Sequence, residues 1–236
     1  ISLDASSQKC WNFEILHKMA LILGDNVKSD NYKLCYEKLK EKINSTLWNE
    51  EEGIYLNRYV SGKWSLVKSP TCFYPMLAGC PTEEMTKRLM AHLTNEDEFW
   101  GEYVLVTLSK DNPGFGKTSR YGHDEVEYPP YSYWRGNIWA PTNYLVYEGL
   151  KRCNQDEISA LFAQKSVDLW WKSWSEHNYA CENYHPITGD RSPMAHKHYN
   201  WSMLLALSGL QEIIDIEGWG EHGSIRFGNS GVREDN

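Results

Sequence analysis

Cys181-Glu182-Asn183-Tyr184-His185-Pro186-Ile187-Thr188-Gly189-Asp190 sets one carboxylate directly before a stiff turn. Pro186 ends any helix near Tyr184, and Gly189 permits a tight reversal. A carboxylate on such a loop, between two helical segments, can be aimed into a cavity; in mid-helix it is aimed by the helix alone. Taken singly, a Glu in this position more often caps a turn or pairs with an arginine. The company it keeps decides between that and chemistry.

Outward from this loop the chain reads as helical hairpins. Trp11, Ile15, Leu16, Met19, Ile22 and Leu23 share the spacing of one helix face, with Gly24 as the stop. After a polar turn at Asp25-Asn26, Tyr32, Cys35, Tyr36, Leu39 and Ile43 repeat the period, which predicts an antiparallel pair. From Gly53 the period becomes two, through Ile54-Tyr55-Leu56 and again Trp64-Ser65-Leu66-Val67 about Ser61-Gly62-Lys63; this predicts an inserted β-hairpin, with Asn57 on a cleft wall. Thr82 before Glu83-Glu84 opens a helix facing Met85, Leu89 and Leu93 inward.

Regular structure then lapses from about Asn95 to Trp134, a length that is uncommon unless the loop is functional. Helices resume through Leu150 after Pro141, through Leu169 after the capping-box spacing of Asn154-Gln155-Asp156-Glu157, and from about His198 to Ile214. Ile225-Arg226-Phe227-Gly228 reads as a closing strand, and Trp170, Trp171 and Trp174 as packing. Short polar turns on one side alternate with long aromatic connections on the other. That asymmetry describes an all-α chain of helical hairpins with its functional face at one end.

Composition narrows the function. A net charge of −8 over 236 residues, with no basic cluster, excludes a nucleic-acid partner. No stretch has the apolar length of a membrane span. The six cysteines show no CxxC pair and read as reduced, mostly buried thiols. Eleven Trp and 15 Tyr against 6 Phe favour rings with a polar handle, which suits a wet cleft that stacks on sugar rings. Gly114-Phe115-Gly116-Lys117-Thr118 imitates a phosphate-binding loop, but Asp111 stands where the first glycine belongs. Asp124-Glu125-Val126-Glu127 reads as a solvated acidic run. His196-x-His198, with His185, lacks a placed carboxylate, so neither a metal nor another cofactor is expected.

Four blocks together carry a resemblance: Phe73-Tyr74-Pro75-Met76-Leu77-Ala78-Gly79, Tyr133-Trp134-Arg135-Gly136-Asn137-Ile138-Trp139, Glu182 to Gly189, and Tyr199-Asn200-Trp201-Ser202. In this order they resemble the catalytic domain of glycoside hydrolase family 63 and its trehalase-like relatives. The resemblance implies part of an (α/α)6 toroid with a small inserted β-hairpin, and an inverting α-glycosidase, most commonly acting on α-glucosides. It makes Glu182 the general base that activates water, and implies a sugar site of Trp134, Arg135, Gly136, Trp139, Trp100, Tyr184 and His185.

The substrate is then an oligosaccharide or small glycoside. The family's general acid, an Asp, falls upstream of Ile1, so this single domain of 1–236 reads as the C-terminal half of a catalytic domain, with the N-terminal portion as its partner. The competing reading is a carbohydrate-binding or structural fragment without turnover.

Overall fold

The computed structural model describes residues 1–121, 126–217 and 224–227. Helix α1 (Leu3–Ile22) turns through Gly24, at φ 73°, into α2 (Asn26–Leu47), whose first turn is capped by the Asp25 carboxylate on Lys28 N. Helix α3 (Glu83–Leu93) starts on Thr82, whose hydroxyl accepts from Met85 N at 3.3 Å. A second short turn, with Asn154 in the left-handed region, joins α4 (Ala140–Arg152) to α5 (Asp156–His177). Gln155 begins α5 without a side-chain cap, so the expected capping box does not form. Helix α6 (Met203–Ile213) lies against α5 and α4. With the 3-10 segment Pro70–Ala78 counted as a helical element, short turns near Gly24, Gly79 and Asn154 alternate with three long connections, as the sequence reads.

The hub is the 3-10 segment Pro70–Ala78, the first of the four sequence blocks. It packs on both α1 and α4, and all its residues except Thr71 are buried. Each of its large apolar side chains, such as Phe73, contributes about 1.5–3 kcal/mol on burial. Glycine is required opposite it: a Cβ on Gly149 of α4 would stand 2.9 Å from Met76 Cβ. Between the helices, Glu212 of α6 accepts hydrogen bonds from Tyr147 Oη (2.8 Å) on α4 and Ser159 Oγ (3.3 Å) on α5, and pairs with Lys151 Nζ at 3.2 Å.

The helical period is as expected, but the face that α1 turns inward is not. Leu3, Ser7, Cys10 and Ala20 are its buried residues, whereas Leu16, Met19, Ile22 and Leu23 point outward. Small side chains let α1 approach the hub closely, which apolar periodicity does not register. Helix α6 likewise exposes Met203, Leu207, Leu210 and Ile213, and Trp171 and Trp174 of α5 are exposed rather than packed inside.

The hairpin predicted from Gly53 onward exists in reduced form. Strand β2 (Ile54–Tyr55) pairs with β1 (Trp48–Asn49) at the end of α2, in the register Trp48 with Tyr55, and only the Arg58–Trp64 bridge joins the later arm. Asn57, expected on a cleft wall, is half-buried, and its Oδ1 accepts from Leu3 N at 2.8 Å, which fixes the start of α1. Strands β3 (Ser119–Tyr121) and β4 (Val126–Tyr128) form a hairpin within the long loop, and β5 (Ile214–Glu217) pairs with β6 (Ser224–Phe227), which includes the expected closing strand. Asp124, Glu125 and Gly228 lie outside the described residues.

Candidate active site

Two of the long connections, those leading into α4 and α6, are sewn together at one end of the helices. Ile138 bridges Val106 on one side and Tyr184 on the other, and Tyr184 bridges Arg191. Ile138 N donates to Tyr184 O at 2.9 Å and Tyr184 N to Ile138 O at 3.0 Å, so the Trp-Arg-Gly block and the Glu182 block share one short ladder. A second tie is side-chain: the buried amides of Asn137 and Asn183 face each other at 2.8 Å. Turned for best pairing, the Asn137 amide donates to Tyr131 O (2.8 Å) and accepts from Tyr133 N (3.2 Å) and Ser192 Oγ (2.9 Å). Buried amides satisfied in this way fix one register of the loops.

The turn after Glu182 is held on three sides. His185 N donates to Asp190 O at 2.8 Å and Gly189 N to His185 O at 3.0 Å, closing the Pro-Ile-Thr-Gly reversal. Asp190 in turn pairs with Lys172 Nζ of α5 at 3.0 Å; the Thr188 hydroxyl and this ammonium hold its carboxyl below the usual range. Gly189 sits at φ 69° beneath Tyr103, where a Cβ would come within 2.7 Å of the ring. His185 Nδ1 accepts from Ile187 N and Thr188 N, both at 3.3 Å, and its ring meets Tyr131 edge-on at 4.8 Å. Burial pushes the His185 imidazole below its ordinary value, so the neutral ring that can accept these bonds is the favoured form.

Glu182 is 8% exposed. Its backbone N–H donates to His196 O at 2.9 Å, and its Oε2 accepts from His196 N at 3.1 Å. Among the described residues only two other acids are buried, Glu98 and Glu212, and both are ion-paired: Glu98 with Lys68 at 3.0 Å and His92 at 2.7 Å, Glu212 with Lys151. Glu182 has no cationic partner among them, and one of its oxygens carries no hydrogen bond from them. The Tyr133 phenol feels this carboxylate: its ionisation is pushed up by burial and then by the negative charge of Glu182.

The expected sugar-site residues fall into two groups. Trp134 is 47% exposed and lies parallel to Trp139, with centroids 4.7 Å apart and planes at 14°. Arg135 is half-buried; its Nη1 is 3.0 Å from where a Gly114 Cβ would stand, and no described carboxylate pairs with it. His185 borders the same loops. Trp139, Tyr184 and Gly136 serve these from behind, whereas Trp100 packs against α5 instead. Trp139 is buried, supports Trp134, and donates from Nε1 to Tyr133 O at 3.3 Å. Tyr184 is fully buried with its hydroxyl accepting from Cys181 N at 3.1 Å, so its ring cannot meet a substrate. Gly136, at φ 135°, makes room for the Phe115 ring, 2.8 Å from a Cβ there, rather than for a ligand. Trp100 packs 6.3 Å from Phe162 with Lys165 Nζ 5.6 Å above its ring.

Tyr133 and the Asn137–Asn183 pair belong to the site and were not singled out by sequence. Tyr133 takes φ 58°, and its ring meets Trp134 and Trp139 edge-on at 5.7 and 5.1 Å. Tyr131, two residues earlier, is at φ 63°. Left-handed backbone at two aromatic residues is costly and persists where surrounding bonds impose it. The usable signal was position: all three lie within the blocks that also carry Trp134 and Glu182. His196 and His198 are exposed, and among the described residues no group of three His, Cys, Asp or Glu is placed to hold a metal.

Helical hairpins with short turns at one end and a ring of aromatic loops around a carboxylate at the other are part of an (α/α)6 toroid. The likeness to solved structures shows this fold: a glycoside hydrolase family 63 mannosylglycerate hydrolase from Thermus thermophilus, in complex with glucose, superposes with TM-score 0.70 over 88% of this chain and 47% of its own, at 21% identity. A family model described as the mannosylglycerate hydrolase MGH1-like glycoside hydrolase domain matches residues 7–202, and the chain belongs to that family, a member of glycoside hydrolase family 63.

Among curated relatives, a mannosylglycerate hydrolase of Thermus thermophilus is 30% identical over 165 residues, covering 68% of this chain and 34% of that protein. A mannosyl-oligosaccharide glucosidase of Saccharomyces cerevisiae is 21% identical over 211 residues, covering 80% and 24%. The chain therefore spans about a third or less of these relatives. Among the described residues no helix is long and apolar enough to cross a membrane.

Proposed function

We propose that this chain carries the water-activating part of a glycosidase that hydrolyses O-glycosyl bonds of α-glucosides with inversion. The observation that carries it is the contrast among the described buried acids: of these, Glu182 has neither a cation nor a bond to its second oxygen among the described residues, and its charge acts on Tyr133, whose ring meets Trp134 edge-on. Inversion needs a carboxylate that polarises a water on one face of the sugar and an acid, roughly 6.5–9.5 Å away, that protonates the leaving oxygen on the other. His196 N holds Glu182 Oε2, which leaves the other oxygen to accept the water's proton. Trp134 offers the stacking plane, and Arg135, which pairs with no carboxylate among the described residues, the donors for sugar hydroxyls. His185 holds its own turn and thereby the loop that aims Glu182.

The acid is the missing half. The resemblance to family 63 puts the proton donor, an Asp, in an N-terminal portion of the same catalytic domain, and this chain spans only about a third of its relative's length. The outward apolar faces of α1 and α6 support such a partner, because Leu16, Met19, Ile22, Leu207, Leu210 and Ile213 are the residues a completed ring of hairpins covers. Relatives named for mannosylglycerate, trehalose and glucosylated oligosaccharides define the panel to test. The whole protein, with the preceding segment present, is expected to release glucose from an α-glucoside, and the Glu182→Gln form to lose that release. Hydrolysis of β-glycosides alone, or activity indifferent to Glu182, contradicts the reading.

A further inference from the structure

The backbone of Arg191 is fixed from both sides: Arg191 bridges the buried Tyr184, and Ser192 N donates to Asn183 O at 3.3 Å. From there the chain loops through Pro193 and Met194, both exposed, to the buried Ala195, whose N–H closes the loop on Ser192 O at 3.0 Å. Three carbonyls of this loop turn towards the half-buried Arg191 side chain. Its Nη1 donates to Ala195 O at 2.7 Å and, more loosely, to Ser192 O at 3.4 Å and Pro193 O at 3.5 Å. No described carboxylate pairs with the guanidinium.

The shortest of these bonds falls on a particular peptide. Ala195 O and His196 N are opposite edges of one planar unit, so a bond that fixes the carbonyl fixes the direction of the N–H. Among the described residues that N–H is the one donor to the Glu182 carboxylate, reaching Oε2 at 3.1 Å. The following carbonyl, His196 O, takes the return bond from Glu182 N at 2.9 Å. A charged donor on a carbonyl also polarises the peptide and strengthens its N–H as a donor. Arg191 thus acts on Glu182 at one remove.

We propose that Arg191 is a positioning residue for Glu182, holding the Ala195–His196 peptide so that its N–H fixes Oε2 and leaves the other oxygen uncommitted. A direct arginine–carboxylate pair is commonly bidentate and would take both oxygens. A cation placed one peptide away steers the carboxylate without occupying it. The catalytic use of this arrangement rests on the role given to Glu182, but one of its two readouts does not.

The test uses two variants of the whole protein: Arg191→Met, which keeps an unbranched stem and removes every donor, and Arg191→Lys, which keeps a charge but not the planar fork. The first readout is the backbone N–H signal of His196, observed by NMR with isotope-labelled histidine and assigned from His196→Gln. It is expected to move upfield in Glu182→Gln, where the acceptor is neutral, and upfield also in Arg191→Met, where Glu182 is intact, with Arg191→Lys between Arg191→Met and the unsubstituted protein. The second readout is turnover of an α-glucoside. A fall in kcat of about 10- to 100-fold is expected in Arg191→Met and of about 2- to 5-fold in Arg191→Lys, with KM held within about 2-fold in both. An arginine that only tied the loop down would lower the unfolding temperature and leave the His196 signal and kcat of the folded protein where they are.

An unmoved His196 signal in both Arg191 variants overturns the proposal, as does turnover that depends on Glu182 and not on Arg191. If Arg191→Met does not fold, Arg191→Lys decides on the same two readouts. The glycosidase reading fails separately: the expected His196 shifts in a whole protein that hydrolyses no glycoside remove that reading and leave the tie between Arg191 and Glu182.

Discussion

Glu212 and Glu182 are withdrawn from solvent to nearly the same extent, and their surroundings have almost nothing in common. Glu212 sits where α4, α5 and α6 meet and is filled on several sides by Tyr147, Ser159 and Lys151. Glu182 sits on a loop and receives one backbone N–H from His196. A buried carboxylate that is fully paired holds helices together; one left short of partners is held in place by its backbone and is available to something else. The same contrast runs through the scaffolding. The helices are joined by side-chain contacts, whereas the site loops are joined by backbone bonds through Ile138 and by the Asn137–Asn183 amides.

The comparison breaks first at Glu182. Glu182→Gln in the whole protein is expected to lower turnover by about 10²- to 10⁴-fold, the usual worth of a general base, with melting temperature essentially unchanged. A variant that unfolds, or one that works, removes the distinction. Glu212→Ala is expected to do the reverse, lowering stability by about 2–4 kcal/mol, because two hydroxyls and a partly exposed ammonium lose their common partner. Chemical denaturation measures it, and a loss under about 0.5 kcal/mol contradicts the pairing seen here. Gly189→Val forces a branched Cβ into the Tyr103 ring at positive φ, and about 1–3 kcal/mol of stability should go with it, read as a fall in unfolding temperature.

The smallest effect is a pH dependence at His185. Its folded value lies below the ordinary one near 6.5, so the neutral ring's contribution is complete above about 6.5 and is lost as pH falls from there through the folded value. The ring's titration by NMR should have its midpoint below 6.5. The Ile187 and Thr188 N–H shifts should follow the same midpoint, since protonated Nδ1 cannot accept from them. A midpoint above 6.5 would mean the ring is not sheltered as described.

Much of this was legible in the sequence, for identifiable reasons. The helices showed because apolar residues recur with their period, and the candidate site could be proposed because Trp134-Arg135-Gly136 and Glu182 to Gly189 are contiguous blocks. The outward face of α1 was misread because the residues it buries, Ser7, Cys10 and Ala20, are small, while its large apolar residues point away. Trp139 and Tyr184 look like sugar contacts in a string of letters, since only the fold shows that one supports Trp134 and the other faces inward. The Ile138 ladder was invisible because it pairs residues 46 apart, from 138 to 184, and the φ of Tyr133 because no local preference favours left-handed backbone at an aromatic residue.

The role given to Glu182 is tested most directly by following the anomeric proton of the first sugar released from an α-linked glucoside by the whole protein, using NMR before mutarotation. Water activated by Glu182 from the face opposite the leaving group gives β-glucose first, and Glu182→Gln abolishes its appearance. Initial release of α-glucose, or undiminished release by Glu182→Gln, would contradict the account.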